Sequence, residues 1–553
     1  MTSHPIHQLS SRIVDELSAH YPELASYHGV PGHDHEWADL SPDGASGARA
    51  TLDRLAAEVA AVPPPSSRGD RLAAAVAAAE LAQQIDRYER GAHLRDLNSV
   101  DSPLQGFREA FDWVTRTGEE AWESVAIRLE TLPRAVAGYV AALDLGRRSG
   151  DVVARRQVEE AIRQARVVAS PASPFVSLPT EYGDGPLRRR LDDAAATGRA
   201  ALAQLADYLE DSYLADASPK DGVGRARYGE DARRFLGTDV DLDETYAWGW
   251  EEIERLRRRM IDVARRVVPG GDLDEALVEL KTNPGRASAD HRSFVAFVQG
   301  RLARALDELQ GRHFDVPPEI RLLEVRIAPP GGALGAQYVA PSEDLTRPGA
   351  VWWAFDGDGP VPLYDAVTTA HHEGVPGHHL QSGIQVTLAG RLSRLHRLWV
   401  WKSGTGEGWA LYAERLMDEL GFLDTADYEL GFLAAQMLRA CRVVIDIGAH
   451  CGLPIPAGQP FRPGEEWRFE AGTEMLRSHA TLDGGYAESE MTRYLGWPGQ
   501  AIAYKVGERE ILALRDTEQR RLGASFDPKV FHAKLLEAGA VGIDVLRAAV
   551  ADG

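Results

Sequence analysis

The sequence predicts a mainly α-helical protein with one small β-sheet, and three features of the chain support this. Apolar residues recur at helical spacing through most of residues 1–320. Short β-branched and aromatic runs, separated by Gly and Pro, are gathered in residues 316–355. Helical patterns resume at residue 364 and continue to about residue 450. A chain of 553 residues can bury a large core, so it needs no disulfide bonds for stability.

The helical segments of the first 320 residues are long and amphipathic. The clearest are residues 71–90, 153–169, 187–214 and 241–268. Asp side chains cap helix N-termini because they accept hydrogen bonds from the first free backbone N–H groups. We therefore expect Asp243 to cap the last of these segments.

The small sheet is predicted from three short runs that alternate with Gly and Pro. They are IRLLEVRIA (320–328), AQYVAP (336–341) and AVWWAF (350–355). The change in composition near residue 315 divides the chain into a helical region and a second region. The first is residues 1–315, and the second, residues 316–553, holds the sheet, the candidate site and the C-terminal helices.

The net charge and the cysteine content limit which binding partners and which cellular compartment we expect. The formal net charge is −22, so the chain repels phosphate groups, and we expect neither nucleic acid nor membrane as a partner. Cys441 and Cys451 form no C-x-x-C pair, which excludes a cysteine-based metal site. The N-terminus lacks the pattern of a signal peptide, and no run of about 18 apolar residues occurs. The expected localisation is cytoplasmic.

The segment TTAHHEGVPGHHLQ (368–381) carries the most informative pattern, with four histidines and one glutamate within nine residues. Zinc hydrolases often use His-Glu-x-x-His on one helix, but here Pro376 stands where the second histidine belongs. In a regular helix His372 and His378 lie on different faces, and His379 lies about 10.5 Å from His372 along the axis. A two-residue bulge at residues 375–377 would bring His378 back to the ligand position.

A second segment, SGTGEGWALYAERLMDEL (403–420), supplies the acidic residues that such a site needs. Glu407 follows a Gly-rich turn and opens a helix, where it can act as the third ligand of a site with two histidines and one glutamate. Glu414 lies two helical turns further on, where it can orient a ligand histidine or simply pair with Arg415. The alternative for the histidines is an ordinary surface or capping role around a helix break.

Downstream residues offer groups for an oxyanion or a substrate carboxylate. Arg442, Asp446 and His450 share one helix face, although a structural ion-pair row would show the same spacing. Polar residues also flank the turn at 496–499, and an edge strand at 336–349 could bind a peptide by strand addition. The candidates from these segments, each with packing as its alternative, are Arg493, Tyr494, Tyr504 and Tyr338.

Three motifs resemble one known family. They are HEGVPGHHLQ (372–381), EGWALYAE (407–414) and R-Y-x3-P-G-Q-A-x2-Y-K (493–505), and they resemble the domain-of-unknown-function 885 family, which is similar to the gluzincin metallopeptidases. The likeness covers most of the chain and is sharpest from Ala336 to Gly507. It implies a mainly helical fold with a deep cleft, with residues 1–315 forming one wall and the small sheet beside the active-site helix.

The resemblance also implies a site and a reaction. It makes His372, His378 and Glu407 the ligands of one Zn²⁺ per chain and Glu373 the general base. The predicted function is a zinc-dependent hydrolase, in particular a peptidase acting on short peptides or amides, in which Tyr494, Arg493 or His450 binds the oxyanion or a substrate carboxylate.

Two alternative functions remain open from the sequence. One is a metal-dependent hydrolase or lyase that acts on a non-peptide small metabolite. The other is a non-enzymatic helical binding protein with a structural metal, in which His379 or Glu414 would be the fourth ligand.

Overall fold

Helices dominate the structure, as the sequence predicts. The structure is a computed structural model that describes residues 4–328, 335–355, 357 and 359–551. The chain divides into two compact units, of which the first contains residues 1–223, 393–399 and 495–497. The second contains the remaining residues, so the helices after residue 224 group with the sheet. The role of residues 1–315 as a cleft wall stays a prediction.

The helices before residue 224 form the first unit around an apolar core. Leu129, Leu132 and Tyr139 lie within that core and are at most 1% exposed. The helices are α1 (Pro5–His20), α2 (Pro22–His28), α3 (Pro42–Ala60), α4 (Arg68–Glu89), α5 (Pro103–Glu109), α6 (Glu119–Ser149), α7 (Arg155–Ala169), α8 (Pro174–Tyr182) and α9 (Arg188–Tyr208).

The helices after residue 224 belong to the second unit, except for one short helix, α16, which groups with the first unit. They are α10 (Arg225–Leu236), α11 (Leu242–Val267), α12 (Leu273–Thr282), α13 (His291–Leu309), α14 (Ala366–Glu373), α15 (His378–Thr387), α16 (Arg394–Leu398), α17 (Ser403–Glu419), α18 (Ala426–Cys451), α19 (Phe469–Ser478), α20 (Gly484–Gly496), α21 (Ala503–Leu522), α22 (Pro528–Ala538) and α23 (Ile543–Ala551).

One predicted helix start is wrong by two residues. Asp241, not Asp243, is the N-cap of α11, and its side chain accepts from the backbone N–H groups of Asp243 and Glu244. Asp243 lies within the first turn instead, where its negative charge still interacts favourably with the helix dipole. The structure therefore chooses the earlier of two aspartates that stand two residues apart.

The three predicted strands form the expected small sheet. The strands of the structure are β1 (Ala287–Ser288), β2 (Leu323–Ile327), β3 (Gly335–Val339), β4 (Gly349–Ala354) and β5 (Val361–Pro362). The three-stranded sheet has the order β2-β4-β3, with β2 parallel and β3 antiparallel to β4. β3 is therefore an edge strand, and it contacts both α14 and α15. The prediction of a sheet beside the histidine-bearing helix is confirmed.

Glycines bring two helices of the second unit into close contact. α17 and α21 pack along each other, and a Cβ atom at Gly507 would lie 1.7 Å from the carbonyl oxygen of Gly404. A Cβ atom at Gly408 would lie 2.5 Å from the carbonyl carbon of Gly507. Only glycine fits such an approach, which places Glu407 of α17 beside the start of α21.

Among the described residues, no helix combines the length and apolarity needed to span a bilayer.

We expect Gly507→Ala to lower the free energy of unfolding by about 1–3 kcal/mol or more, because the added methyl group overlaps the backbone of α17. Thermal or urea unfolding measures the change. Gly300→Ala is the matched control, since Gly300 is an exposed helical residue with no atom within 4 Å of an added Cβ. That control should be neutral or slightly stabilising. Equal stability of the two variants would contradict the packing argument.

Candidate metal centre

The histidine segment is two helices interrupted by a short turn. α14 ends at Glu373 and α15 begins at His378. The backbone N–H of Gly377 donates to the carbonyl of His371 at 3.0 Å, a span of six residues in place of the four of an α-helix. The two additional residues correspond to the predicted bulge. They bring His378 beside His372, with 4.8 Å between the ring centroids.

The turn leaves no room for a side chain at its last residue. A Cβ atom at Gly377 would lie 1.9 Å from the carbonyl oxygen of His372. Trp409 of α17 holds the turn from the other side, because its indole N–H donates to the carbonyl oxygens of Pro376 at 2.9 Å and Gly377 at 3.2 Å. The position of the second candidate ligand therefore depends on the packing of α17.

Three donor atoms converge at this point. Nε2 of His372 lies 3.3 Å, and Nε2 of His378 3.5 Å, from the same oxygen, Oε2 of Glu407. Within the described part of the chain, these residues are the one group of three or more His, Cys, Asp or Glu side chains close enough to share a metal ion. The sequence predicted these three residues as ligands.

The spacing of the donor atoms fits a metal ion better than direct hydrogen bonds. Good N–H···O bonds measure about 2.7–3.2 Å. Ligand atoms on a tetrahedral zinc ion, with bonds of about 2.0–2.1 Å, lie about 3.3 Å apart. The two N–O distances in the structure, 3.3 and 3.5 Å, match that tetrahedral edge. The residues present therefore fit zinc or a similar transition metal.

A carboxylate behind the first ligand fixes its orientation. Oε1 of Glu414 lies 2.8 Å from Nδ1 of His372, and the hydroxyl of Thr368 donates to the other oxygen of Glu414 at 2.5 Å. A proton held on Nδ1 leaves the Nε2 lone pair free to face Glu407, as in many zinc sites. The Nδ1 atom of His378, by contrast, is buried without a hydrogen-bond partner.

The metal-free centre holds a proton that a metal would displace. Burial disfavours the charged form of His372, but Glu407 and Glu414 outweigh that effect and raise its pKa to about 10. Burial raises the pKa of Glu407, yet the neighbouring imidazoles of His372 and His378 outweigh that effect and hold the pKa of this carboxylate well below its usual range. A metal ion must therefore compete with the proton on His372.

Glu373 follows the first ligand and remains partly exposed. Burial raises the pKa of this carboxylate, and the charge of Glu407 raises it further. The imidazoles of His372 and His378 and the guanidinium of Arg439 oppose the increase. A carboxylate whose pKa lies above its usual value is suited to accept and return a proton near neutral pH.

His379 faces away from the three donor atoms, and both of its ring nitrogens are engaged. Nε2 lies 2.7 Å from the carbonyl oxygen of Ile320, and Nδ1 lies 3.0 Å from the hydroxyl of Tyr338. Nε2 must donate to the carbonyl, so Nδ1 accepts from the tyrosine. Burial lowers the pKa of His379 to about 4, which keeps the ring neutral. His379 thus connects α15 to the edge strand β3.

The downstream candidates Arg493 and Tyr494 belong to a buried ion network. The Tyr494 hydroxyl donates to Glu490 at 2.6 Å, and Arg493 donates to both oxygens of the same carboxylate at 3.0 Å. Arg442 completes the network, because it donates to Tyr494 and to Glu490, each at 2.8 Å. The role of Arg493 and Tyr494 in substrate binding stays a prediction, since their polar groups are paired within this network.

Tyr504 contacts Arg442 of that network and also responds to the charge of Glu407. The guanidinium of Arg442 is 4.7 Å from the centroid of its ring. Burial raises the pKa of Tyr504, and the carboxylate of Glu407 raises it further, so the hydroxyl stays protonated. The side chain is nevertheless partly exposed. Tyr504 is therefore a downstream candidate with a direct electrostatic link to a ligand residue.

His450 is packed within the second unit. Its Nε2 atom lies 3.0 Å from the carbonyl oxygen of Tyr494 and 3.6 Å from Asp446, and its ring stacks on Tyr228. Burial lowers the pKa of His450 to about 4. These contacts join α18 to α20 and α10, and the predicted catalytic role of His450 stays a prediction.

Four residues of the centre were missed by reasoning from the sequence. Thr368 was detectable, because it stands one helical turn before His372 on the same face. No comparable spacing in the sequence pointed to Trp409, Arg439 or Trp401. Trp401 is 44% exposed and its ring lies 5.5 Å from that of His378, a contact that depends on how the segment before α17 folds back.

Similarity to known proteins supports the sequence motifs. The family model described as "Bacterial protein of unknown function (DUF885)" matches residues 22–550. The chain belongs to this family. The description of the DUF885 family gives no activity, so membership alone assigns none. No curated protein is significantly similar to the chain in sequence.

Two solved structures share the fold of this DUF885 protein. A putative lipoprotein from Colwellia psychrerythraea is 22% identical, with a TM-score of 0.85 over 99% of this chain and 98% of its own. A putative lipoprotein of unknown function from Shewanella oneidensis is 17% identical, with a TM-score of 0.75 over 99% of each chain. Identities this low support the fold alone.

A third structure, M32 carboxypeptidase from Deinococcus radiodurans R1, is a much weaker match. It is 12% identical over 98% of this chain and 95% of its own, with a TM-score of 0.35. A TM-score below 0.5 does not establish a shared fold.

Metal binding should be strongly pH-dependent. The pKa of His372 is about 10 in the metal-free protein, so binding at lower pH must expel a proton. As the pH is lowered from 9 to 7, the apparent zinc affinity should therefore fall about tenfold for each pH unit, and about one proton should be released when zinc binds. Competition against a chromogenic chelator measures the affinity, and calorimetry in buffers of different protonation enthalpy counts the protons.

Glu414→Gln serves as the comparison for this experiment. Without the Glu414 charge the pKa of His372 should fall, so the variant should release fewer protons at the same pH. An affinity that does not change with pH would show that His372 is neutral before the metal binds.

Proposed function

We propose that this protein is a metal-dependent hydrolase, with zinc as the ion and a short peptide or amide as the substrate. The observation that supports it is the convergence of His372, His378 and Glu407 on one point, with Glu373 adjacent to the first ligand. A structural metal site has no need of a neighbouring carboxylate with a raised pKa. A bound zinc ion would supply Lewis acidity that polarises the substrate carbonyl and acidifies water.

Glu373 acts as the general base in this proposal. Its carboxylate takes a proton from the attacking water and later gives it to the leaving nitrogen. Glu414 and Thr368 keep the His372 ring in the orientation that presents Nε2. These residues prepare the centre before the substrate arrives, which is where much of an enzyme's rate enhancement originates.

Tyr504 is the best-placed donor for the developing oxyanion. Its hydroxyl stays protonated because burial and Glu407 raise its pKa, and the side chain retains access to solvent. Arg442 lies over the tyrosine ring and is itself held by Glu490 and Tyr494. In this arrangement Tyr494 and Arg493 support Tyr504 from behind, in place of the direct substrate contact expected from the sequence.

The edge strand β3 favours a peptide as the substrate. β3 lies at one edge of the sheet order β2-β4-β3, and extended peptides bind sheet edges through backbone hydrogen bonds. The bond between Tyr338 and His379 ties this strand to the helix that begins with His378. A peptide added to β3 would therefore run close to the metal centre.

The structural-metal alternative needs a fourth protein ligand, and the two candidates for it are committed elsewhere. His379 uses one ring nitrogen on the Ile320 carbonyl and the other on Tyr338. Glu414 is bonded to His372 and Thr368. An open coordination position is typical of catalytic zinc.

The cytoplasmic localisation and the absence of nucleic-acid and membrane partners stay predictions.

Metal content and hydrolysis of a short-peptide library test the proposal together. We expect about one zinc per chain in the native protein and in Glu373→Gln, and none in His372→Ala, His378→Ala or Glu407→Ala. Glu373→Gln should lose at least about 100-fold in kcat, the lower end of what a general base contributes. Glu470→Gln is the matched control, because the same change at an exposed helical position should leave kcat intact.

Two results would contradict the proposal. A protein that binds no transition metal after reconstitution has no metal centre. A protein that binds zinc but hydrolyses neither peptides nor small amides would instead support one of the two alternatives, a hydrolase or lyase of a non-peptide metabolite or a structural metal.

A further inference from the structure

Three arginines lie on α18 and α20, and they differ in how their charge is balanced. Arg442 and Arg493 share the carboxylate of Glu490, at 2.8 and 3.0 Å. Arg439 stands one helical turn before Arg442 on α18 and has no carboxylate at ion-pair distance among the described residues. Its hydrogen bond runs from Nη1 to the carbonyl of Ala435, 3.1 Å away in the same helix.

The unbalanced arginine lies on α18, which packs against α14, the helix that ends at the proposed general base. Arg439 interacts electrostatically with Glu373 and with Tyr486. Arg439 and Glu373 are both partly exposed, and Tyr486 is 44% exposed. The guanidinium therefore lies at an open part of the second unit and not within its packed core. Glu373 does not neutralise it through a direct ion pair, so its charge remains available to a ligand.

The guanidinium of Arg439 is also incompletely hydrogen-bonded. Its Nε atom is buried without a partner, which is costly for a charged donor. A guanidinium offers its donors in a planar fork that matches the two oxygens of a carboxylate. A carboxylate on a bound molecule would balance the charge and accept from the accessible terminal nitrogens, whereas the buried Nε atom lies out of its reach.

We propose that Arg439 binds a carboxylate of the substrate and so determines which peptides the centre accepts. This inference rests on the function proposed above. The carboxylate belongs either to the free C-terminus of the peptide or to an acidic side chain next to the cleaved bond. The formal net charge of the protein is −22, so this local positive charge is what would draw an anionic peptide to the site.

Paired probes separate the two sources of the carboxylate. N-acetyl-Ala-Ala-Ala is compared with its C-terminal amide, and N-acetyl-Ala-Glu-Ala-amide with N-acetyl-Ala-Gln-Ala-amide. For the pair that the zinc-loaded wild type distinguishes, Arg439→Ala should lower kcat/KM for the acidic probe roughly 10- to 100-fold, mainly through KM, and leave the neutral probe nearly unchanged. Arg439→Lys should restore part of the preference, because it keeps the charge without the fork.

Arg304→Ala is the matched control for loss of one positive charge. Arg304 is exposed on α13 and pairs with Glu308 and Asp424. This variant should discriminate between the probes as well as the wild type does. An equal loss for the acidic and the neutral probe in Arg439→Ala would overturn the proposal, since the arginine would then act through Glu373. A wild type that distinguishes neither pair would overturn it as well.

Binding measurements keep this inference separate from the proposed reaction. Calorimetry with the zinc-loaded Glu373→Gln variant, alone and combined with Arg439→Ala, measures affinity for the same probes without cleavage. If the native protein cleaves no probe but the acidic one binds more tightly and loses that advantage without Arg439, the reaction is wrong and the carboxylate site stands. If cleavage occurs and Arg439→Ala does not change the preference, the reaction stands and the inference fails.

Discussion

The turn between α14 and α15 is the constraint on which the candidate metal centre depends. A continuous helix would direct His372 and His378 to different faces, where they could not share an ion. The hydrogen bond from Gly377 to the His371 carbonyl accommodates two more residues than a helical turn does. Both imidazoles then reach the same oxygen of Glu407. The backbone that makes this possible also excludes every side chain larger than that of glycine at position 377.

α17 carries three of the remaining residues of the centre on a single helix. Glu407 meets both imidazoles, Trp409 bonds the carbonyls of the turn, and Glu414 orients His372. Glycines on the opposite side allow α21 to approach α17, and this contact brings Tyr504 to the centre. One helix therefore provides a ligand, supports the turn that places a second ligand and orients a third. Because one helix has all three roles, Glu407, Trp409 and Glu414 lie within eight positions of one another.

The fold class and the donor set were predictable, whereas the roles of the surrounding residues were not. Helical periodicity and the run of short strands identified the architecture, because both patterns are local. The spacing of the histidines excluded a regular helix and required a bulge. The known geometry of the α-helix was enough for that conclusion. The sequence could not distinguish Tyr494 from Tyr504, because the two tyrosines flank the same turn at residues 496–499. Their surroundings differ in the folded protein, where the hydroxyl of Tyr494 donates to Glu490 and accepts from Arg442 of α18.

The sequence by itself determined the helical fold and the small sheet, because local periodicity encodes both. It predicted the three donor residues and the proposed base through the motifs that resemble the DUF885 family. Tertiary structure alone decided which polar side chains remain available for a ligand. His379 is committed to Ile320 and Tyr338. Arg493 is paired with Glu490, while Arg439 keeps unpaired donors near Glu373. The physical reason is that pairing depends on which helices approach each other across large separations in the chain, and no local pattern records that.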